Sequence, residues 1–391
     1  MPTRVYFVVA ALFALLVTPA RPAMAVLPFH FGSFPSGTLD GITDVPGVRV
    51  AHVTKVEGEN IRTGATAIIP DGDPWNDKVS AAALAFNGNG EMTGTHWVNT
   101  AGYLEVPIVL TNTLDVGVAD DGVVDWMIDH YPQVGRMDDV PLPVVAECDD
   151  QLLNDIQRRS VRQSDVIAML DRARSGEFER GSVGAGTGMK AFGFKAGIGS
   201  ASRVLPASLG SYRVGVLVND NTGSSRDALT IVGVPVGERL KSEYRMVYPK
   251  HVSETDLHGR MLSGSIDIVV ATDAPLDNRQ LHAIALRAGL GMARTGLTSD
   301  VGSGDLFIAF STGYVFHRAG DFDIHAPARA IVEDDSTLNA LYRATAEATQ
   351  AAIYDALFEA KTMTGQGGAT VYGLPDERVL EMLRTADAIA R

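Results

Sequence analysis

A glycine–serine pair, Gly264-Ser265, stands directly before a mostly apolar and β-branched run at 266–271. Such a run is typical of a buried strand. A serine at the start of a buried strand, after a residue with no side chain, can bring its hydroxyl against the preceding carbonyl. We therefore interpret Gly264-Ser265 as a self-cleavage site and Ser265 as the nucleophile that cleavage releases. Taken alone, such a pair is more commonly an ordinary turn before a core strand.

A second serine segment, Gly302-Ser303-Gly304-Asp305, lies further along the chain before another apolar run. On an extended backbone, side chains at positions i and i+2 share one face, so the Ser303 hydroxyl and the Asp305 carboxylate can meet. A carboxylate that orients a hydroxyl, which in turn contacts a nucleophile, is a catalytic arrangement that needs no histidine. By itself, this segment is more commonly a turn and a strand cap.

Several familiar site patterns are absent from the sequence. It contains no Gly-x-Ser-x-Gly elbow, which argues against an α/β-hydrolase, and no Ser-x-x-Lys motif. No histidine pair has His-x-x-x-His spacing, and the single cysteine, Cys148, is expected to be a small buried thiol, so we expect no metal site. The glycine-rich segment 181–199 lacks the spacing of a phosphate loop or a dinucleotide fingerprint. It fits either close backbone approach to a ligand or tight turns, and no cofactor is expected.

Residues 1–25 predict a signal peptide. Arg4 precedes an apolar run at 5–17, and Ala23-Met24-Ala25 has the small-x-small form of a cleavage site. The run is shorter than the roughly 20 residues that a membrane-spanning helix needs. We expect cleavage after Ala25, no membrane association afterwards, and a periplasmic or secreted mature protein. A retained N-terminal anchor is the alternative.

Composition and periodicity predict a single globular α/β domain. The chain has 391 residues, 46% of them hydrophobic, and a net charge of −14 with scattered lysines and arginines, so no basic stripe for nucleic acid is present. Strand and helix patterns alternate without a clear linker, which indicates mixed sheets with helices packed outside. The predicted strands are 42–53, 66–70, 107–112, 143–147, 212–218, 229–232, 266–271 and 305–310; the predicted helices are 95–104, 116–130, 154–175, 278–294, 338–361 and 377–390.

Seven segments, in order along the chain, resemble the DmpA/BapA family of self-processing N-terminal-nucleophile aminopeptidases, also called the S58 peptidases. Their order makes the resemblance specific where each segment alone is not. It extends from about residue 42 to residue 313, and the segments are 87–94, 107–113, 144–147, 186–189, 215–218, 264–276 and 302–305.

The resemblance implies an αββα four-layer sandwich and autocatalytic scission between Gly264 and Ser265. The products would be an α-subunit, 26–264, and a β-subunit, 265–391, assembled as a homotetramer of αβ heterodimers. It implies Ser265 as the nucleophile and Ser303 and Asp305 as supporting catalytic groups. Several relatives have Glu at the position of Asp305.

Three further residues come from the same resemblance. Asn221 resembles the oxyanion-hole asparagine, with Asn219 as a rival, and Glu147 resembles the acid that receives the free amine of the substrate. Relatives carry an aromatic residue shortly after that acid, whereas the segment 148–153 has none.

The function implied is an exported serine aminopeptidase that removes N-terminal residues from small peptides, amides or esters. It would be of the L-aminopeptidase/D-esterase type or the β-peptidyl aminopeptidase type. One alternative is an ornithine-acetyltransferase-like acyltransferase, against which Ser265 argues because that group uses a threonine nucleophile. The other is a non-catalytic exported binding protein, in which Gly264-Ser265 is an ordinary turn.

Overall fold

The computed structural model describes residues 27–390 other than 71, 223–224, 250–263, 319–323, 326–330 and 332. The predicted signal peptide and most of the polar segment before Ser265 lie outside these ranges. Within them, no helix combines the length and the apolar character needed to cross a membrane.

The chain alternates strands with helices along its length. The strands are β1 (Arg49–Glu57), β2 (Ile61–Ile69), β3 (Asp77–Gly88), β4 (Tyr103–Leu104), β5 (Ile108–Asn112), β6 (Val144–Cys148), β7 (Lys190–Ala191), β8 (Phe194–Lys195), β9 (Ile198–Val204), β10 (Arg213–Asn221), β11 (Ser265–Thr272), β12 (Gly304–Arg318), β13 (Ile324–His325), β14 (Met363–Thr364) and β15 (Thr370–Val371). The α-helices are α1 (Thr95–Ala101), α2 (Val116–His130), α3 (Gln163–Asp171), α4 (Val236–Leu240), α5 (Asn278–Ala293), α6 (Asp335–Glu359) and α7 (Asp376–Thr385).

Two large mixed sheets organise these elements. The first has the order β1-β2-β5-β6, with β5 and β6 parallel and the other neighbours antiparallel. The second has the order β4-β3-β12-β11-β10-β9, with β13 beside β12. Strand β11 lies near the centre of the second sheet, between β10 and β12. It is antiparallel to β10 and parallel to β12.

The sheets pack face to face, with helices on both outer sides. One apolar cluster joins both sheets to α2 and α3, and a second joins the outer face of the second sheet to α5 and α6. Strand β11 shows the alternation that this requires: Ile268 and Val270 belong to the helix-side cluster, whereas Val269 and Ala271 belong to the cluster between the sheets. The four layers confirm the αββα sandwich.

Most predicted elements are present, with several corrections. The predicted strand at 42–53 begins only at Arg49, and the predicted helix at 95–104 ends at Ala101 and is followed by strand β4. The predicted strand at 229–232 is a turn instead, in which Val232 has a φ of 47° before Gly233 and only an isolated bridge joins Ile231 to Val234. The predicted helix at 154–175 is helical only over α3. Strand β9 was not predicted because it begins inside the glycine-rich segment 181–199, whose composition indicated tight turns or a close backbone approach to a ligand, and strand β3 was not predicted either.

Glycine in β9 has a packing reason. A Cβ at Gly199 would overlap the carbonyl oxygen of Ala352 and lie 2.6 Å from the nitrogen of Ala356, both on α6. The missing side chain therefore allows α6 to lie directly against the sheet.

We expect Gly199→Ala to destabilise the protein by about 1–3 kcal/mol, because the added methyl forces β9 and α6 apart. Thermal or urea unfolding would measure this. Gly117→Ala is the matched control: a Cβ at this helical position meets nothing within 4 Å, so stability should be unchanged or slightly higher. Equal effects of the two substitutions would contradict this account of the packing.

Candidate active site

Ser265 is the first residue of β11 and is 7% exposed. Its register partners are Asn221 on β10 and Gly304 on β12. The strand predicted after Gly264 is therefore confirmed, and the serine lies at the end of the central strand of the larger sheet. A loop serine would be free to move, whereas this one is held between two paired neighbours.

Asn221 is the amide that contacts Ser265. Its Nδ2 lies 3.4 Å from Ser265 Oγ and donates to the Asp149 carbonyl at 2.8 Å. Its Oδ1 accepts the Lys190 backbone N–H at 3.2 Å, which fixes the direction of the amide group. The other candidate, Asn219, lies two residues earlier on β10, opposite Asp267. Its Nδ2 donates to Asp267 Oδ2 at 3.3 Å. Of the two asparagines, the structure places Asn221 against the serine.

Ser303 and Asp305 form the pair that their spacing predicted. Ser303 Oγ donates to Asp305 Oδ1 at 2.6 Å, and Ser299 donates to the other carboxylate oxygen. Burial raises the pKa of Asp305, and the two hydroxyl hydrogen bonds oppose this rise. Both residues line a small pocket together with Gly264. The hydroxyl–carboxylate pair and the glycine of the predicted cleavage site therefore border the same space.

Glu147 lies near the end of β6 with both carboxylate oxygens hydrogen-bonded. Oε1 accepts the Glu91 backbone N–H at 3.1 Å, and Oε2 accepts the Thr113 hydroxyl. Burial raises the pKa of Glu147; the two hydrogen bonds lower it, and the nearby Asp149 and Glu91 raise it further. A Cβ at Gly90 would lie 3.1 Å from Oε1, so the glycine leaves that side of the carboxylate open. Such a group can receive an ammonium ion.

Sequence reasoning did not identify three polar groups that converge beside Ser265. Cys148 Sγ lies 3.5 Å from both Asp267 Oδ2 and the Asn219 carbonyl, and burial raises the pKa of its thiol. Lys190 is 4% exposed, and its Nζ has no hydrogen-bond partner among the described residues. Burial lowers the pKa of Lys190, while Asp149 and other acidic neighbours raise it. One feature of the sequence could have indicated this cluster: Asp267 is a charged residue inside an otherwise apolar predicted strand.

The described part of the chain contains no cluster of three or more His, Cys, Asp or Glu side chains able to hold a metal ion. The chemistry that the arrangement supports is nucleophilic acyl transfer. A hydroxyl, an amide donor beside it and a hydroxyl–carboxylate pair are parts that such a reaction uses, and the buried carboxylate of Glu147 is a group that can receive an ammonium ion.

Several known proteins are similar to this chain in sequence and in fold. Beta-peptidyl aminopeptidase BapA of Sphingosinicella xenopeptidilytica is 39% identical over 356 residues, covering 89% of this chain and 88% of that protein. A Burkholderia sp. beta-aminopeptidase is 38% identical, with a TM-score of 0.80 over 92% of this chain and 97% of that one. The L-aminopeptidase D-Ala-esterase/amidase from Ochrobactrum anthropi, a prototype for the serine aminopeptidases, is 37% identical, with a TM-score of 0.80 over 93% and 98%.

The fold is that of the Ntn hydrolases, in the variant found in the Ochrobactrum anthropi enzyme. The family model of peptidase family S58 matches residues 40–371, which is most of the chain. The protein therefore belongs to peptidase family S58, a family of serine-type aminopeptidases, and is a peptidase.

We expect Thr113→Val to raise the pKa of Glu147 further, because valine cannot donate the hydrogen bond that lowers it. A higher pKa means that the charged form is lost at a higher pH. The acid limb of kcat/KM for an aminoacyl p-nitroanilide should therefore move to higher pH. Thr100→Val, at an exposed threonine of α1, is the control and should leave the limb unchanged. An unmoved limb in Thr113→Val would mean that Glu147 is not the group that titrates in this limb.

Proposed function

We propose that this protein is an exported serine aminopeptidase that cleaves itself between Gly264 and Ser265. Ser265, as the new N-terminal residue, then hydrolyses N-terminal residues from peptides, amides or esters. The observation that carries the proposal is the contact between Asn221 Nδ2 and Ser265 Oγ at 3.4 Å. It lies at the head of β11, next to a pocket that Gly264 and Ser303 share.

Self-cleavage needs only groups near this strand end. Ser265 Oγ adds to the carbonyl carbon of Gly264, and the bond from that carbon to the Ser265 nitrogen breaks as the nitrogen takes up a proton. The resulting ester is hydrolysed by water, which leaves subunits 26–264 and 265–391. Gly264 favours this attack because it has no side chain to obstruct the approach of the hydroxyl.

Turnover would use the amine that cleavage creates. The α-amine of Ser265 has an ordinary pKa of about 8, so part of it is neutral and can accept the hydroxyl proton. Asn221 would donate to the oxyanion of the tetrahedral intermediate, and removal of one such donor costs about 10²–10³ in kcat in a comparable enzyme. The Ser303–Asp305 pair would hold a second hydroxyl near the reacting carbonyl.

Glu147 would confer the preference for a free N-terminus. A buried carboxylate with two fixed donors pairs well with the ammonium of a substrate, and an internal peptide bond offers no such charge. The names of relatives suggest two substrate groups, β-peptides and L-aminoacyl amides or D-alanyl esters. We propose this wider class for the present protein, since no aromatic residue follows Glu147 within 148–153.

The proposed setting is periplasmic or extracellular, as the N-terminal segment 1–25 indicates, and the proposed assembly is a homotetramer of αβ heterodimers, as the family resemblance implies.

The acyltransferase alternative makes a different prediction: release of amine from an amino-acid amide would need an acyl acceptor other than water. Hydrolysis in the absence of an added acceptor would support the peptidase.

We expect Ser265→Ala to remain one uncut polypeptide without peptidase activity, because alanine has no nucleophile for either reaction. Intact mass spectrometry and a denaturing gel would measure this, and the wild-type protein should give two chains, one beginning at Ser265. Ser208→Ala, at an exposed serine, is the control and should process normally. Two chains from Ser265→Ala would show that the cleavage site is assigned wrongly.

Glu147→Gln is expected to raise KM for aminoacyl p-nitroanilides by about tenfold or more, because a neutral amide cannot pair with the substrate ammonium. Self-cleavage should proceed, since the Gly264 side of the scissile bond carries no free amine. Glu59→Gln, at an exposed position, should match the wild type in both measurements. An unchanged KM in Glu147→Gln would remove Glu147 from the binding site.

A further inference from the structure

Asp267 is a fully buried carboxyl group, 0% exposed, two residues after Ser265 on the same face of β11. Its register partner on β10 is Asn219, and the next pair along that face is Asn221 with Ser265. The Asn219–Asp267 pair therefore lies directly beneath the proposed nucleophile and its amide donor. The mechanism described above makes no use of it.

Two oxygen atoms of this pair are buried without a partner. Asn219 Nδ2 donates to Asp267 Oδ2 at 3.3 Å, but Asp267 Oδ1 and Asn219 Oδ1 have no hydrogen-bond partner among the described residues. Both are acceptors when Asp267 is ionised, and buried acceptors without donors are costly. A proton on Asp267 Oδ1 would make that oxygen a donor for Asn219 Oδ1, the unpartnered acceptor on its register partner, while Oδ2 continues to accept from Nδ2.

The surroundings of Asp267 favour the protonated form. The first sheet contributes Glu147 and the thiol of Cys148, and β12 contributes Asp305, so the charges that act on Asp267 are negative. Burial raises the pKa of Asp267 well above its ordinary value, and the charge of Glu147 adds to this rise.

Glu147 and Asp267 differ in how strong their hydrogen-bond donors are. Glu147 accepts from a backbone N–H and a hydroxyl, whereas Asp267 accepts from one amide and a weak thiol donor. When two nearby carboxyl groups compete, the one with the stronger donors ionises first and the other keeps its proton. Of these two groups, Glu147 then carries the negative charge, at the position where the substrate ammonium would bind.

We propose that Asp267 is a neutral carboxylic acid that pairs with Asn219 through two hydrogen bonds, and that this acid–amide pair is the positioning element for Ser265 and Asn221. The inference rests on the proposed role of Ser265. Loss of the proton from Asp267 Oδ1 to solvent at alkaline pH removes one of the two hydrogen bonds. Asp267 Oδ1 and Asn219 Oδ1 are then both acceptors and repel each other. It also places a negative charge on the face where the oxyanion of the intermediate forms.

The test compares Asp267→Asn with Asp267→Val across pH, on the self-processed enzyme with an aminoacyl p-nitroanilide. In Asp267→Asn an amide N–H replaces the acid O–H, so the pair is retained and cannot ionise. Its kcat/KM should lie within about threefold of the wild type near pH 7, and the ratio of variant to wild type should rise several-fold as the pH is raised. Asp267→Val leaves the Asn219 amide unpaired and should lower kcat by about tenfold or more, with little change in KM.

Two outcomes would overturn the proposal. A loss of about hundredfold in Asp267→Asn at pH 7 would mean that the enzyme needs an ionised carboxylate at this position. A ratio that stays constant with pH would mean that Asp267 does not titrate as proposed.

A second measurement does not depend on activity. In the uncut Ser265→Ala protein, a raised pKa in the folded state means that the stability contributed by the Asp267 proton is present at low pH and is lost as pH rises through that pKa. Adding Asp267→Asn should therefore reduce the fall in melting temperature that begins at about pH 4, the ordinary pKa of aspartate, and continues up to the raised pKa of Asp267. An identical fall in both proteins would contradict the neutral acid. If the wild type neither cleaves itself nor hydrolyses substrates, the proposed function fails, while this measurement still decides the state of Asp267.

Discussion

The pairing of β11 with β10 and β12 is the constraint on which the rest of the structure depends. Apolar residues of β11 are buried on both faces, against α5 and α6 on one side and against the first sheet on the other. A strand buried on both faces cannot slip by one residue without exchanging its two sets of side chains. Ser265 consequently has one position relative to Asn221 and Gly304, so this register fixes the geometry of the site.

The site also depends on how the fold accommodates buried carboxyl groups. Glu147, Asp267 and Asp305 all lie in low-polarity surroundings that raise their pKa values. They differ in their donors: Glu147 has an N–H and a hydroxyl, and Asp305 has two hydroxyls, whereas Asp267 has one amide and a thiol. Carboxyl groups of similar burial can therefore take different charge states, because each state is decided by local hydrogen bonds.

Other buried charges serve the scaffold instead. Arg180 pairs with Asp355 at 3.2 Å, which ties a loop of the first half of the chain to α6. The Asp355 carboxylate also accepts the Ser200 backbone N–H at 2.8 Å, so it links β9 to the same helix. These contacts secure the outer helical layer on the second sheet. Together with the absence of a side chain at Gly199, they explain how α6 can lie so close to β9.

The sequence by itself determined the local elements and the chemistry within single segments. Helix α2 has the predicted bounds, β5 and β6 lie within one residue of theirs, and the Ser303–Asp305 contact follows from side-chain alternation along one strand. It also supplied Ser265 as the candidate nucleophile. Only the tertiary structure showed that Asn221, and not Asn219, contacts Ser265, and only it brought Cys148, Lys190 and Asp267 together. The physical reason is range: alternation acts between positions two residues apart, whereas these groups meet through the register and stacking of strands that are distant in the chain.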